Sequence, residues 1–231
     1  MRDYRSIHEI FDILNLNNVL YIVLRNYENL LSPDLFLNGH GDLDILCDDS
    51  QRIVNLLELD SYRRDNPPFK GDGVHYYVMI NGQIVSIDLR YVGDDYYCRQ
   101  WEEDMLKDRV AYSCFYVPDN EAYFYSLIYH SILQKHLFSD DYKLRLKIMA
   151  SNLSIPIEDS EQGYIAILEQ YMSNNGYYFT WSADYLVPNR FYLVNQKMIM
   201  RNWRNRIRHI AFDAKVSVID MLVKIKHQIG H

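Results

Sequence analysis

Three aspartates carry the chemical signal of this chain. Asp42 and Asp44 stand in the stretch Gly39-His40-Gly41-Asp42-Leu43-Asp44-Ile45-Leu46, and Asp88 stands in Ser86-Ile87-Asp88-Leu89-Arg90. In an extended chain side chains repeat every second residue, so Asp42 and Asp44 share one face of a strand. Two carboxylates that close repel and raise each other's pKa unless a cation neutralises them. A few hard oxygen ligands, with the other positions left to water and phosphate, suit Mg²⁺, with Mn²⁺ as the second candidate. A third carboxylate on a neighbouring strand, Asp88, completes a metal-binding and catalytic site for phosphoryl or nucleotidyl transfer. In such a site metal clamps the transferred phosphate and one carboxylate activates the acceptor hydroxyl. Asp-x-Asp alone is equally a solvated turn. What favours the site is the apolar residues interleaved with the acids and the aspartate inside a later apolar strand.

The elements that must position these acids are legible. Val19–Arg25 (VLYIVLR) is a continuous, β-branched apolar run, the mark of a buried strand, and Leu43–Cys47 is a second short one. Residues 74–80 and 83–92 flank Asn81-Gly82, a hairpin turn whose two positions tolerate positive φ. Alternation along the second arm puts Ile84, Ser86, Asp88 and Arg90 on one face and Val85, Ile87, Leu89 and Tyr91 on the other. Helices are predicted over 4–16, where Ile7, Ile10, Phe11 and Leu14 recur at helical spacing, and over 50–60 with Ser50 as N-cap. After Pro118 the pattern turns helical: 121–137 capped by Asn120, then 140–151, 161–172, and one or two helices in the last thirty residues. The fold class is therefore α+β, a mixed sheet with flanking helices over residues 1–118 followed by a mostly helical domain over 119–231.

Helix, strand, Gly-x-Gly-Asp-Leu-Asp-Ile-Leu, helix and an Asp-bearing strand, in that order over residues 4–106, resemble the nucleotidyltransferase superfamily of the DNA polymerase β type. Within it, the chain is most similar to the minimal bacterial nucleotidyltransferase-like proteins associated with surface-polysaccharide synthesis. The resemblance implies a nucleotidyltransferase-like mixed sheet and a helical domain that closes over the nucleotide. It also implies Asp42 and Asp44 as metal ligands, and Asp88 as third ligand and base. One departure stands out: Leu24-Arg25-Asn26 occupies the stretch where the superfamily carries Gly-Gly or Gly-Ser. A guanidinium at Arg25 can grip phosphate through two parallel hydrogen bonds. The donor stays open between a nucleoside triphosphate and another nucleotide-activated or phosphate-ester compound.

Further substrate-binding candidates surround this core. His40 and Gly41 precede the first acid, Arg90 shares a strand face with Asp88, and His130 and Lys135 interrupt an apolar helix that would face the acids. Each has an ordinary structural alternative: a turn residue, a neutralising partner, a buried histidine, a solvated lysine.

Composition narrows the partners. With 231 residues and a hydrophobic fraction of 48%, the chain can bury a sizeable core, and disorder is excluded. The three cysteines, Cys47, Cys98 and Cys114, form no C-x-x-C, which argues against a disulfide framework or zinc knuckle and for a reducing, cytoplasmic setting. Residues 201–231 hold seven Lys/Arg and two Asp, a net of +5, so the overall −7 leaves −12 on residues 1–200. Such an acidic body is not built for a stable nucleic-acid track. The basic C-terminus suits peripheral contact with the inner face of an anionic membrane.

The function these readings favour is a Mg²⁺-dependent transferase. It moves a nucleotidyl or substituted phosphoryl group from a nucleotide or nucleotide-activated donor to a sugar or polyol hydroxyl in surface-glycan biosynthesis. Two alternatives remain at this point: a non-catalytic, antitoxin-like module of the same fold that binds nucleotide or protein, and an RNA-modifying nucleotidyltransferase.

Overall fold

Short apolar stretches separated by asparagine-rich breaks build the first half of the chain. The computed structural model describes residues 2–32, 42–61 and 74–229. Asp3–Tyr4 is strand β1 and Ile7–Leu16 is helix α1, which buries Ile7, Ile10, Phe11 and Leu14 along one face. The helix begins later than its apolar spacing suggests because Asp3 and Tyr4 pair with the sheet edge. β2 (Tyr21–Val23) is shorter than the apolar run that contains it. Asn18 before it and Asn26 after it adopt positive φ, a conformation asparagine tolerates better than most residues, and both turn the chain. β3 (Asp42–Cys47) follows, then α2 (Ser50–Leu57), whose N-cap is Asp49 rather than Ser50. The Asp49 carboxylate accepts from the Arg52 amide at 3.0 Å.

After the two-residue β4 (Asp60–Ser61), the predicted hairpin forms as β5 (His75–Ile80) and β6 (Gln83–Tyr91). Asn81 and Gly82 take the positive φ values, 50° and 73°, that this turn requires. Helix α3 (Arg99–Lys107) and the small hairpin β7 (Val110–Tyr112) and β8 (Phe115–Val117) lie beyond the sequence expectation. Four further α-helices make up most of the described remainder: α4 (Asn120–Ile128), α5 (Asp140–Asn152), α6 (Glu161–Asn175) and α7 (Trp203–Ile229). The cap of α4 is Asp119, not Asn120, with its carboxylate accepting from the Glu121 and Ala122 amides. The predicted helix 121–137 stops at Ile128 and continues as a π-helical turn, Tyr129–Leu133.

The sheet is mixed, in the order β1-β5-β6-β3-β2, with β4 also paired to β5. β3 runs parallel to β6 and antiparallel to β2. Alternation divides its side chains between two cores. Val23, Leu43, Ile45, Ile87 and Leu89 pack with α1 and α2, while Ile22, Leu24 and Leu46 pack with the helices of the second half. Asp42 and Asp44 share the parity of Leu46, so they open toward the helical half. The expected α+β arrangement, a mixed sheet with flanking helices and a helical C-terminal part, is what the chain adopts. Cys47 and Cys98 are buried free thiols, and Cys114 is partly exposed. No described helix is long and apolar enough to cross a membrane.

Candidate active site

The parallel pairing of β3 with β6 sets Asp44 opposite Asp88 and Asp42 opposite Ser86. One carboxylate oxygen from each of Asp42, Asp44 and Asp88 lies within 4.8 Å of the others. Oxygens that share one Mg²⁺ at about 2.1 Å sit at most about 4.2 Å apart, so small side-chain rotations suffice to bring all three onto one ion. The three differ in setting: Asp42 is exposed, Asp88 partly buried and Asp44 fully buried. Burial, together with the Asp42 and Asp88 charges, pushes the Asp44 carboxyl up to about 7 against the pull of Arg25 and Arg90. The set is hard and anionic, with no nitrogen or sulfur donor among the three, which fits a hard divalent cation.

Two buried arginines face the acids. Arg25 lies just beyond β2, where the Leu24 amide bonds to the Asp44 carbonyl at 2.9 Å, and its Nη2 donates to Asp44 Oδ1. Arg90, on the polar face of β6, donates from Nη2 to Asp184 Oδ2 at 3.1 Å. Asp184 belongs to the loop before α7, 94 residues away in the chain. It is held in turn by the Leu186 amide at 3.0 Å. Tyr96 packs against both guanidinium groups, whose carbons sit 5.7 Å (Arg25) and 4.2 Å (Arg90) from its ring centre. Among the described residues, Arg25 Nη1 and Arg90 Nε and Nη1 are buried donors with no hydrogen-bond partner. Buried N–H groups left unmatched are costly, so an anionic acceptor beside them would recover a penalty the protein alone carries.

The π-helical turn supplies the opposite wall. Such insertions re-aim side chains within a helix, and this one delivers His130, Gln134 and Lys135 to the same cleft. His130 Nδ1 pairs with the Tyr96 hydroxyl at 3.0 Å, and the Gln134 amide donates to the Tyr96 carbonyl at 2.9 Å. Burial, reinforced by the nearby Arg25 and Lys135 charges, holds the His130 pKa well below its usual value, so the ring is neutral. Lys135 is exposed at the mouth, and Tyr142 of α5 packs against His130. The resulting cavity is about 320 Å³ and its lining is mainly polar and charged.

Asp42, Asp44, Asp88, Arg25, Arg90, His130 and Lys135, all singled out from sequence, therefore line one cleft. His40 and Gly41 lie outside the described residues. Sequence reasoning missed Tyr96, Gln134, Tyr142, Asp184 and His75, whose Nε2 lies 3.6 Å from Asp88 Oδ1. His75 had a usable signal, because the hairpin register pairs it with Asp88. Asp184 had none, since its partner is set only by tertiary packing.

No protein-family model matches the chain, and no curated protein does. Among solved structures, the solution structure of the antibiotic-resistance factor ANT(2'')-Ia is similar, with a TM-score of 0.37 and 11% identity. The match covers 74% of this chain and 91% of that one. At that score and identity the likeness carries nothing about activity.

Proposed function

We propose that the cleft belongs to a divalent-cation-dependent transferase that moves a nucleotidyl or substituted phosphoryl group onto a hydroxyl. The observation that carries the reading is the juxtaposition in one cavity of three carboxylates within 4.8 Å of one another and two buried arginines with unpartnered N–H groups. Acid trio and cationic wall together match a metal-bridged phosphate ester and little else. Asp42, Asp44 and Asp88 would hold Mg²⁺, which when bound supplies Lewis-acid polarisation of a phosphoryl oxygen.

The remaining steps fall to the chain's own groups. Arg25 Nη1 and Arg90 Nε and Nη1 donate to phosphate oxygens, and Lys135 adds charge at the entrance. The Arg25–Asp44 and Arg90–Asp184 pairs and the Tyr96 ring fix both guanidinium groups before substrate arrives. Asp88, the partly accessible member of the trio, accepts the proton of the attacking hydroxyl. That oxygen forms the new bond to phosphorus as the bond to the leaving phosphate breaks. The proposal extends to a sugar or polyol acceptor in surface-glycan assembly, the setting suggested by the sequence pattern of residues 4–106 alone.

The test is turnover. The protein is incubated with Mg²⁺, a panel of nucleoside triphosphates and CDP-alcohols, and sugar or polyol acceptors, and release of pyrophosphate or nucleoside monophosphate is followed. The reading predicts release with at least one donor, abolished by chelator and by Asp42→Asn. Donor binding with no release under any combination would favour the non-catalytic module instead.

A further inference from the structure

The outward face of α7 has no role in the cleft, and its residue pattern is specific. The inward face is fastened to the body by side chains at helical spacing. Asn205 Nδ2 donates to the Trp181 carbonyl and to Asp95 Oδ2, both at 2.9 Å. His209 Nε2 donates to the Ser182 carbonyl at 2.9 Å, its Nδ1 accepts from Asn189 at 3.0 Å, and Phe212 packs on Tyr185. Trp203, Ile207, Ile210, Ala214 and Val218 recur at three- and four-residue spacing on the opposite side. They face away from the body: Trp203 is 64% exposed, Ile207 55%, and Ile210 and Val218 53% each. Arg204, Arg208 and Lys215 run along one flank of this stripe, while Arg206 and Asp213 share the other, all exposed.

We propose that α7 is a bilayer-docking helix: its apolar stripe enters the interface of an anionic membrane while the flanking arginines meet lipid phosphates. The charge layout commits the face to that occupant. Residues 201–231 carry +5 against −12 on the rest of the chain, so an anionic surface attracts this helix and repels the body, which fixes orientation. A second copy presenting its own α7 would set arginines against arginines. A nucleic-acid backbone would use the arginines and leave Trp203, Ile207 and Ile210 in water. A helix with a broad apolar stripe, one strongly basic flank and an interfacial tryptophan matches the bilayer boundary.

This inference stands apart from the reading of the cleft, and its test needs no turnover. The full chain is sedimented with vesicles of phosphatidylcholine alone and with vesicles carrying about one-third phosphatidylglycerol. Binding is expected on the anionic vesicles, weakened by salt, and nearly absent on the neutral ones. Near an anionic surface each basic residue contributes roughly fivefold, so Arg204→Gln with Arg208→Gln should weaken binding about thirtyfold. Ile207→Ser with Ile210→Ser should also weaken it, with an unchanged melting curve showing that the fold is intact. Equal binding to both vesicle types, or variants that bind like the wild type, would overturn the proposal. So would failure to bind vesicles while the same variants abolish self-association or an RNA shift.

Discussion

Asp88→Asn separates cation binding from folding, because Asp88 belongs to neither buried ion pair. Its side chain is 19% exposed, and across the hairpin its Oδ1 lies 3.6 Å from His75 Nε2. Asparagine keeps the shape and removes one of three like charges gathered within 4.8 Å. In chelator the variant should therefore fold with a stability within about 1 kcal/mol of the wild type. A cation that binds only the folded chain stabilises it by about 2.7 kcal/mol at a hundred times Kd. For a chain of this size each kcal/mol moves Tm by about 2–4 °C, so saturating Mg²⁺ should raise the wild-type Tm by about 5–11 °C. Even outer-shell partners of metal ligands cost about 10–100-fold in affinity, so loss of a direct carboxylate should cost at least about 100-fold. At the same Mg²⁺ concentration the variant then gains about 0.4 kcal/mol, or about 1–2 °C. Thermal melts of both proteins in chelator and across a Mg²⁺ titration check this. Equal gains in the two proteins, or a wild-type Tm indifferent to Mg²⁺ and Mn²⁺, would refute the reasoning.

Arg90→Met should lower stability by about 3 kcal/mol or more, because it leaves Asp184 charged and buried, and Arg90→Met with Asp184→Leu should recover much of the loss. Urea unfolding of the single and double variants measures both. Arg25→Lys should weaken pyrophosphate binding by calorimetry about tenfold, since an ammonium cannot reproduce the fork of a guanidinium. Glu102 anchors the loop that carries Tyr96 by accepting from the Gly93 amide at 2.7 Å and the Tyr97 amide at 3.1 Å. Burial and the neighbouring Asp94 hold its carboxyl well above the ordinary value of 4.5. The folded protein thus keeps a proton that the unfolded chain releases above about pH 4.5, and stability falls as pH rises from there toward the folded pKa. Glu102→Gln should flatten that decline, which unfolding free energies at pH 6 and pH 9 would show; an unchanged slope would exclude Glu102 as its source.

Much of the arrangement was legible because it obeys local periodicity. The two-residue repeat of β3 aligned Asp42 with Asp44, and the Asn81-Gly82 turn set the register that places Asp88 and Arg90 on one face. Arg25 was legible because it closes the apolar run 19–25, at the stretch Leu24-Arg25-Asn26 where the resembled superfamily carries its phosphate-binding glycine; the strand itself stops two residues earlier, at Val23. The parts that were missed depend on tertiary contacts. Tyr96 becomes part of the site because the loop after β6 folds back between two arginines, and Asp184 because the chain returns to β6 from the far side of the helical half. The π-helical turn at Tyr129–Leu133 left no periodic trace either, since Ala122–Leu133 is buried on every side, polar Ser126, His130 and Ser131 included, so an inserted residue displaces no one-sided apolar stripe. Asp49 and Asp119 took the caps from Ser50 and Asn120 because a carboxylate one residue earlier reaches the free amides of the first turn.

Crystals of the protein soaked with Mn²⁺ and a nucleoside triphosphate offer the most direct test, because manganese is located by its own anomalous scattering. The structure predicts a peak between Asp42, Asp44 and Asp88, with oxygen distances of about 2.1 Å and the phosphates against Arg25 and Arg90. Manganese bound elsewhere, or carboxylates that turn away from one another while the arginines stay empty, would contradict it.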